Sequence, residues 1–113
     1  MFGQLPPSIR TALPGPVSAR WVEVLAQREC PSLTARRARR EERSGAKHDP
    51  IVWAEARGSN VRDADGNVFV DLTAGFSVAV AGHAHPAITG AVQQQVAVLP
   101  HALGDVHPSI PKL

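Results

Sequence analysis

The sequence predicts a small α+β fold: an N-terminal helix, a short antiparallel sheet and a further helix. Three observations lead there. A helical spacing follows a proline-rich start, a run of strand formers after Pro50 is broken by an Asp-Gly turn, and a second helical spacing lies between Pro86 and Pro100. The 113 residues allow one modest domain at most. Hydrophobic residues at 43% and charged residues at 19% are ordinary globular proportions and argue against a disordered chain.

Residues 1–17 are punctuated by Pro6, Pro7, Pro14, Gly15 and Pro16, and read as an irregular arm because proline fixes φ and removes a donor. Ser18 is placed to cap a helix running to about Glu29, with Trp21, Val24, Leu25 and Arg28 on one side, and Pro31 stops it. Residues 32–49 read as loop or a frayed basic helix broken at Ser44–Gly45, so 18–49 form a helix and a basic linker. Residues 50–113 then hold the small sheet plus helix.

Within that stretch, Ile51–Ala56 is rich in strand formers and Arg57–Asn60 supplies a turn. A second run, Asn60–Asp63, leads into Ala64–Asn67, where Gly66 accepts positive φ without steric cost, and Val68–Leu72 returns. Thr73 to Pro86 carries an apolar run bracketed by Gly75 and Gly82, which predicts a buried segment with backbone in close contact at each end. Ile88, Val92, Gln95, Val96 and Leu99 have helical spacing, ended by Pro100. A loop from His101 to Pro108 follows, and Ser109 with Pro111 predicts the opening of another helix.

Charge excludes some functions and weakens others. The net charge is +2; residues 1–57 carry ten basic and six acidic side chains, residues 58–113 two and four. That balance is too mild to imply a nucleic-acid partner. The run Arg36, Arg37, Arg39, Arg40 and Arg43 lacks interleaved aromatics and is interrupted by Glu41 and Glu42, which favours a solvated, salt-bridged surface over a phosphate grip. No apolar run approaches the roughly 20 residues of a membrane span. The start MFGQLPPSIR has no basic stretch ahead of an apolar one, so no secretory signal is expected and the default location is cytoplasmic.

Candidate chemistry is sparse. His83, His85, His101 and His107 could offer imidazoles to zinc, yet no Cys accompanies them; they read as structural hydrogen-bonding residues, and no metal site is expected. Cys30 is the single cysteine, cannot form an internal disulfide and reads as inert. Asp63, Asp65 and Asp71 fall at turns or strand ends, where each suits an Asx turn or a backbone acceptor. The sequence has no phosphate-binding loop, no GxGxxG and no GxSxG.

Taken in order, however, several segments form a series: PGPVS (14–18), PIVWAEARGSNVRDADGNVFVDLTAG (50–75), FSVAVAGHAHPAITGAVQQQ (76–95) and HALGDVHPSIPKL (101–113). The series resembles the N-terminal part of class III aminotransferases, the 4-aminobutyrate, ornithine and acetylornithine type. Asp63-Ala-Asp-Gly-Asn67, Asp71, Gly75 and Gly82-His-Ala-His-Pro86 match the family's motifs in order and spacing.

The resemblance implies an α+β fragment of a fold type I α/β enzyme that uses pyridoxal 5'-phosphate (PLP) and works as a homodimer on an amino donor and a 2-oxo acid. The family's Schiff-base lysine, pyridine-nitrogen aspartate and phosphate loop match no residue here. Lys47 and Lys112 are the two lysines, and neither falls at the Schiff-base position. No catalytic or cofactor-binding residue is therefore carried over, the large PLP domain has no counterpart, and the fragment alone is expected to be inactive.

What the resemblance does carry is pocket shape. Phe76 and Ser77 match residues lining the substrate side of the cofactor, which suits an exposed turn after Gly75; the bland alternative is that Phe76 is plain core. His101, Ala102, Leu103, Gly104 and Asp105 match a loop reaching toward the neighbouring subunit's active site. A different reading is a non-catalytic interaction module that pairs with itself or with an intact aminotransferase subunit, using helix 87–99 and run 76–81 as exposed patches. At this size the core is expected to be small and the fold loosely packed.

Overall fold

Pro16 opens helix α1 (Pro16–Arg28), a position where a missing N–H costs nothing and φ is already helical. The structure, a computed structural model, describes residues 1–47 and 49–101. α1 begins inside the stretch read as arm. Ser18 is not its cap: it is fully buried in the first turn, and its hydroxyl accepts the Val52 amide at 3.3 Å. The cap comes from far along the chain. Asp65 accepts the Val17 amide through Oδ1 at 2.7 Å and the Ser18 amide through Oδ2 at 2.9 Å, setting a carboxylate at the positive end of the helix.

Pro31 does more than stop α1. It opens a second helix, α2 (Pro31–Ser44), which replaces the loop-or-frayed reading and ends at Gly45 in the left-handed conformation. Glu29, at the C-cap of α1, accepts the Thr34 hydroxyl at 2.6 Å and pairs with Arg37. α2 buries no residue, so its arginine-rich surface is solvated as its composition predicts.

The sheet has three antiparallel strands in the order β1 (Trp53–Arg57), β2 (Asn60–Asp63) and β3 (Val68–Val70). Ala56 stands opposite Val61, and Val61 opposite Phe69, with an irregularity between Trp53 and Glu55. Gly66 sits in the β2–β3 turn with φ +84°, as the Asp-Gly signal predicts. At the β1–β2 turn Gly58 has φ +54°, and a Cβ there would stand 2.5 Å from the Gly3 carbonyl oxygen; only glycine fits. Beyond β3 the chain makes one short turn, α3 (Ala74–Ser77).

The close approach at Gly58 exists because the N-terminal arm is strapped along the sheet. Ser8 and Val68 exchange two backbone hydrogen bonds, at 2.8 and 2.9 Å. Asn60 accepts the amides of Gly3 and Leu5 through Oδ1, at 3.0 and 2.7 Å, and donates to the Leu5 carbonyl at 3.0 Å. Asn67 accepts the amides of Arg10 and Thr11, and donates through Nδ2 to the Thr11 hydroxyl and to Asp63, both at 2.8 Å. Asp63 also receives the Asp65 and Asn67 amides, closing the hairpin turn.

Among the described residues the buried apolar side chains are Val61 and Val68, beside buried Ser18, Asn60, Asp63 and Asn67. The interior is therefore small and largely polar. Its polar groups are matched: among the described residues, no buried side-chain nitrogen or oxygen lacks a partner.

All of this belongs to one unit, Met1–His83; Ala84–Leu113 forms the other. In the second unit, Pro86 opens helix α4 (Pro86–Val98) behind His85 at the N-cap. The predicted apolar spacing is there, but Ile88, Val92 and Val96 are about half exposed and α4 buries nothing. The expected helix at Ser109 and Pro111, like most of the loop before it, lies outside the described residues. Among the described residues, no helix is long and apolar enough to cross a membrane.

Candidate functional site

The candidate site residues Phe76 and Ser77 follow β3, in a segment anchored at Asp71 and His83. Asp71 leaves the strand with its amide donating to the Ser59 carbonyl at 2.8 Å. Its Oδ1 accepts the Thr73 amide at 3.0 Å and the Thr73 hydroxyl at 2.8 Å. Its Oδ2 accepts the Gly75 amide at 2.8 Å and lies 2.7 Å from His83 Nε2. The His83 hydrogen bond, followed by the Thr73 hydroxyl, brings the pKa of the Asp71 carboxyl down to about 2; partial desolvation opposes, and the Thr73 and Gly75 amides add to the lowering. Asp65 is also lowered: desolvation opposes it most, and the hydrogen bonds from Ser18 and Val17 outweigh that.

His83 is itself fixed from three sides. Its backbone exchanges two 2.8 Å hydrogen bonds with Gly58, its ring meets Asp71, and Trp53 stands edge-on with ring centroids 6.0 Å apart. It is a structural histidine, as the sequence suggests. His85 is exposed beside the α4 start. Among the described residues no group of three His, Cys, Asp or Glu converges as metal ligands would.

Between Asp71 and His83, the turn α3 is left-handed. Ala74, Gly75, Phe76 and Ser77 have φ of +50°, +57°, +58° and +68°. The turn is closed by the Ser77 amide on the Thr73 carbonyl at 3.0 Å and the Ala79 amide on the Ala74 carbonyl at 2.8 Å. Residues with a side chain enter this region singly as a rule, at roughly 1–2 kcal/mol each, because Cβ crowds the following carbonyl. Three of these four have a Cβ.

The turn overturns one expectation. The run bracketed by Gly75 and Gly82 is not buried: Phe76 is 92% exposed, Val78 88% and Val80 76%, and Leu72 just before them 90%. The sheet's interior is already filled by Val61, Val68 and the asparagine network, and the left-handed turn swings the apolar side chains away from it. Phe76 is accordingly not core within this chain, which matches the exposed turn that the resemblance implies.

The other site residues divide simply. Phe76 and Ser77 are neighbours on α3, both exposed. His101 is exposed and belongs to the second unit, whereas Ala102, Leu103, Gly104 and Asp105 lie outside the described residues. Lys47, just past the α2 C-cap, is exposed and is the one lysine among the described residues. It does not match the position that the resemblance gives to the Schiff-base lysine, so the described residues do not fit PLP unaided. Sequence reasoning missed Asn60 and Asn67; the available signal was asparagine at strand positions, where β-branched residues are the usual choice.

Comparison with known proteins places much of this stretch in one family. The family model for class III aminotransferases matches residues 43–110, the sheet, the left-handed turn and α4 among them. The chain belongs to the class III aminotransferase family. It is 52% identical over 52 residues to an acetylornithine aminotransferase of Corynebacterium efficiens, covering 46% of this chain and 13% of that enzyme. An acetylornithine aminotransferase of Mycobacterium leprae is 46% identical over 52 residues, again 46% of this chain and 13% of the relative. An alanine/serine racemase of Pyrococcus horikoshii is 41% identical over 59 residues, 52% of this chain and 12% of the relative. The matched stretch thus spans about an eighth of the length of these relatives.

Proposed function

We propose that this chain is the N-terminal portion of a PLP-dependent aminotransferase that moves an amino group from an amine or amino acid to a 2-oxo acid. The family match over residues 43–110 carries the reading. In it, 50–113 belong to the N-terminal or small domain, 18–49 supply helices that lead into it, and the PLP domain comes from polypeptide beyond this chain. PLP supplies the electron sink for amino transfer when bound in the complete enzyme. The chain's own part is to shape the substrate side: bulky Phe76 and small Ser77, standing out on α3, select among donors by size. The loop of His101 to Asp105 reaches toward the neighbouring subunit of a homodimer.

The acetylornithine aminotransferases among the relatives support an amino-acid donor that gives up a free amine, while a relative named alanine/serine racemase carries a similar segment. Two experiments test the proposal. The chain alone, treated with PLP and borohydride, is expected to give no stoichiometric adduct; a trapped one contradicts it. Residues 43–110 placed into a full-length acetylornithine aminotransferase are expected to retain turnover. A chimera that folds and binds PLP yet turns over no donor contradicts the proposal.

The second reading, an interaction module without catalysis, is favoured by the exposed Leu72, Phe76, Val78 and Val80. It predicts that the intact chain pulls down a full-length aminotransferase subunit, and absence of that complex excludes it.

A further inference from the structure

The geometry points to Asp71 as a positioning residue whose carboxylate holds Ala74–Ser77 in the left-handed turn and thereby sets where Phe76 and Ser77 stand. The consequence for substrate choice rests on the pocket-wall reading above; the clamp itself does not.

The observations converge on one carboxylate. A left-handed turn containing three residues with Cβ does not persist by its own preference, so something outside it must fix it. The apolar side chains of the segment supply little, since Phe76, Val78 and Val80 are largely exposed. Asp71 instead makes four polar contacts, and three bracket the start of the turn: the Thr73 amide, the Thr73 hydroxyl and the Gly75 amide. The fourth, His83 Nε2, ties the same carboxylate to the far end of the segment, where His83 is anchored on Gly58 and Trp53.

Asp71 therefore joins both ends of the loop through one side chain. With two oxygens and four donors its acceptor sites are filled, which leaves a shorter or neutral replacement unable to repeat the pattern.

The test reads backbone conformation in the full 113-residue chain and needs no activity. Isotope-labelled protein is examined for the strong intraresidue HN–Hα cross-peaks and carbon shifts of residues with φ of roughly +60°. The native chain is expected to show them at Ala74, Phe76 and Ser77. Asp71→Ala is expected to abolish them while the amide shifts of Val61 and Phe69 in the sheet stay in place. Adding Ala74→Gly and Ser77→Gly to Asp71→Ala is expected to restore the Phe76 signature in part, a rescue that a purely structural defect would not give.

Should Asp71→Ala not fold, Asp71→Asn is read instead, with the Phe76 signature weakened and the sheet shifts unchanged. Left-handed signatures that survive in the folded variant, or that are missing from the native chain, overturn the inference. Because the readout is conformational, loss of the clamp and failure of the aminotransferase reading are separate results: a chimera without turnover bears on the second alone.

Discussion

Two stretches of the same unit close themselves in opposite ways. The arm and sheet turn polar groups inward: Asn60, Asp63 and Asn67 are buried and fully bonded, with only Val61 and Val68 for apolar company among the described residues. The segment from Leu72 to Val80 turns apolar groups outward and keeps its polar contacts at Asp71. The first stretch satisfies its buried polar groups internally; the second is shaped by internal hydrogen bonds and leaves Leu72, Phe76, Val78 and Val80 largely exposed. Identity of the buried residue decides stability in one. In the proposed enzyme, identity of the displayed residue decides recognition in the other.

Breaking the sheet side gives the largest effect. Asn67→Ala leaves the Arg10 and Thr11 amides and one Asp63 oxygen without their partner, and is expected to cost about 2–3 kcal/mol, read as a lower urea midpoint. Gly58→Ala comes next. It forces a Cβ against the Gly3 carbonyl at positive φ, and is expected to destabilise by about 1–2 kcal/mol in the same urea titration and to loosen the arm.

The displayed side responds with the opposite sign. Ala74→Gly and Ser77→Gly remove left-handed strain and are each expected to raise stability by about 1 kcal/mol, where glycine in an ordinary helix lowers it. Phe76→Ala is expected to change stability by less than about 0.5 kcal/mol, because the ring is exposed.

Acid sharpens the same contrast. The Asp71 carboxyl lies below its unfolded value, so the stability it contributes is fully present above about pH 4 and is lost as pH falls through about 2. The left-handed signature at Phe76 is therefore expected to be unchanged from about pH 7 to pH 4 and to fade on approach to about pH 2. A signature that vanishes near pH 5 would show that Asp71 is not the group holding the turn.

The elements with local signals were legible in the sequence. Strand formers flanking Asp65-Gly66 pointed to the hairpin, and the spacing of Ile88, Val92 and Val96 between two prolines pointed to α4. The aspartates were legible as structural acceptors, because a short carboxylate at a turn has backbone donors within reach.

What escaped was set by distance along the chain. Asp65 caps α1 across nearly fifty residues, and the arm is tied down by Asn60 and Asn67 from as far away, so neither left a periodic trace. Pro31 could end a helix or begin one, and its position favoured neither reading alone. The run 76–81 looked like core because apolar residues between glycines usually are. Its exposure follows from backbone handedness at Ala74–Ser77, which composition does not encode. The family resemblance set Phe76 and Ser77 on an exposed turn, and both side chains are exposed there.

The most direct measurement is donor selectivity in the chimeric aminotransferase carrying residues 43–110, compared with the same chimera bearing Phe76→Ala. The expected result is an unchanged melting temperature and a changed ratio of kcat/KM between a bulky and a small amino donor. An unchanged ratio, in a chimera that remains active and equally stable, would contradict the assignment of this turn to the substrate side.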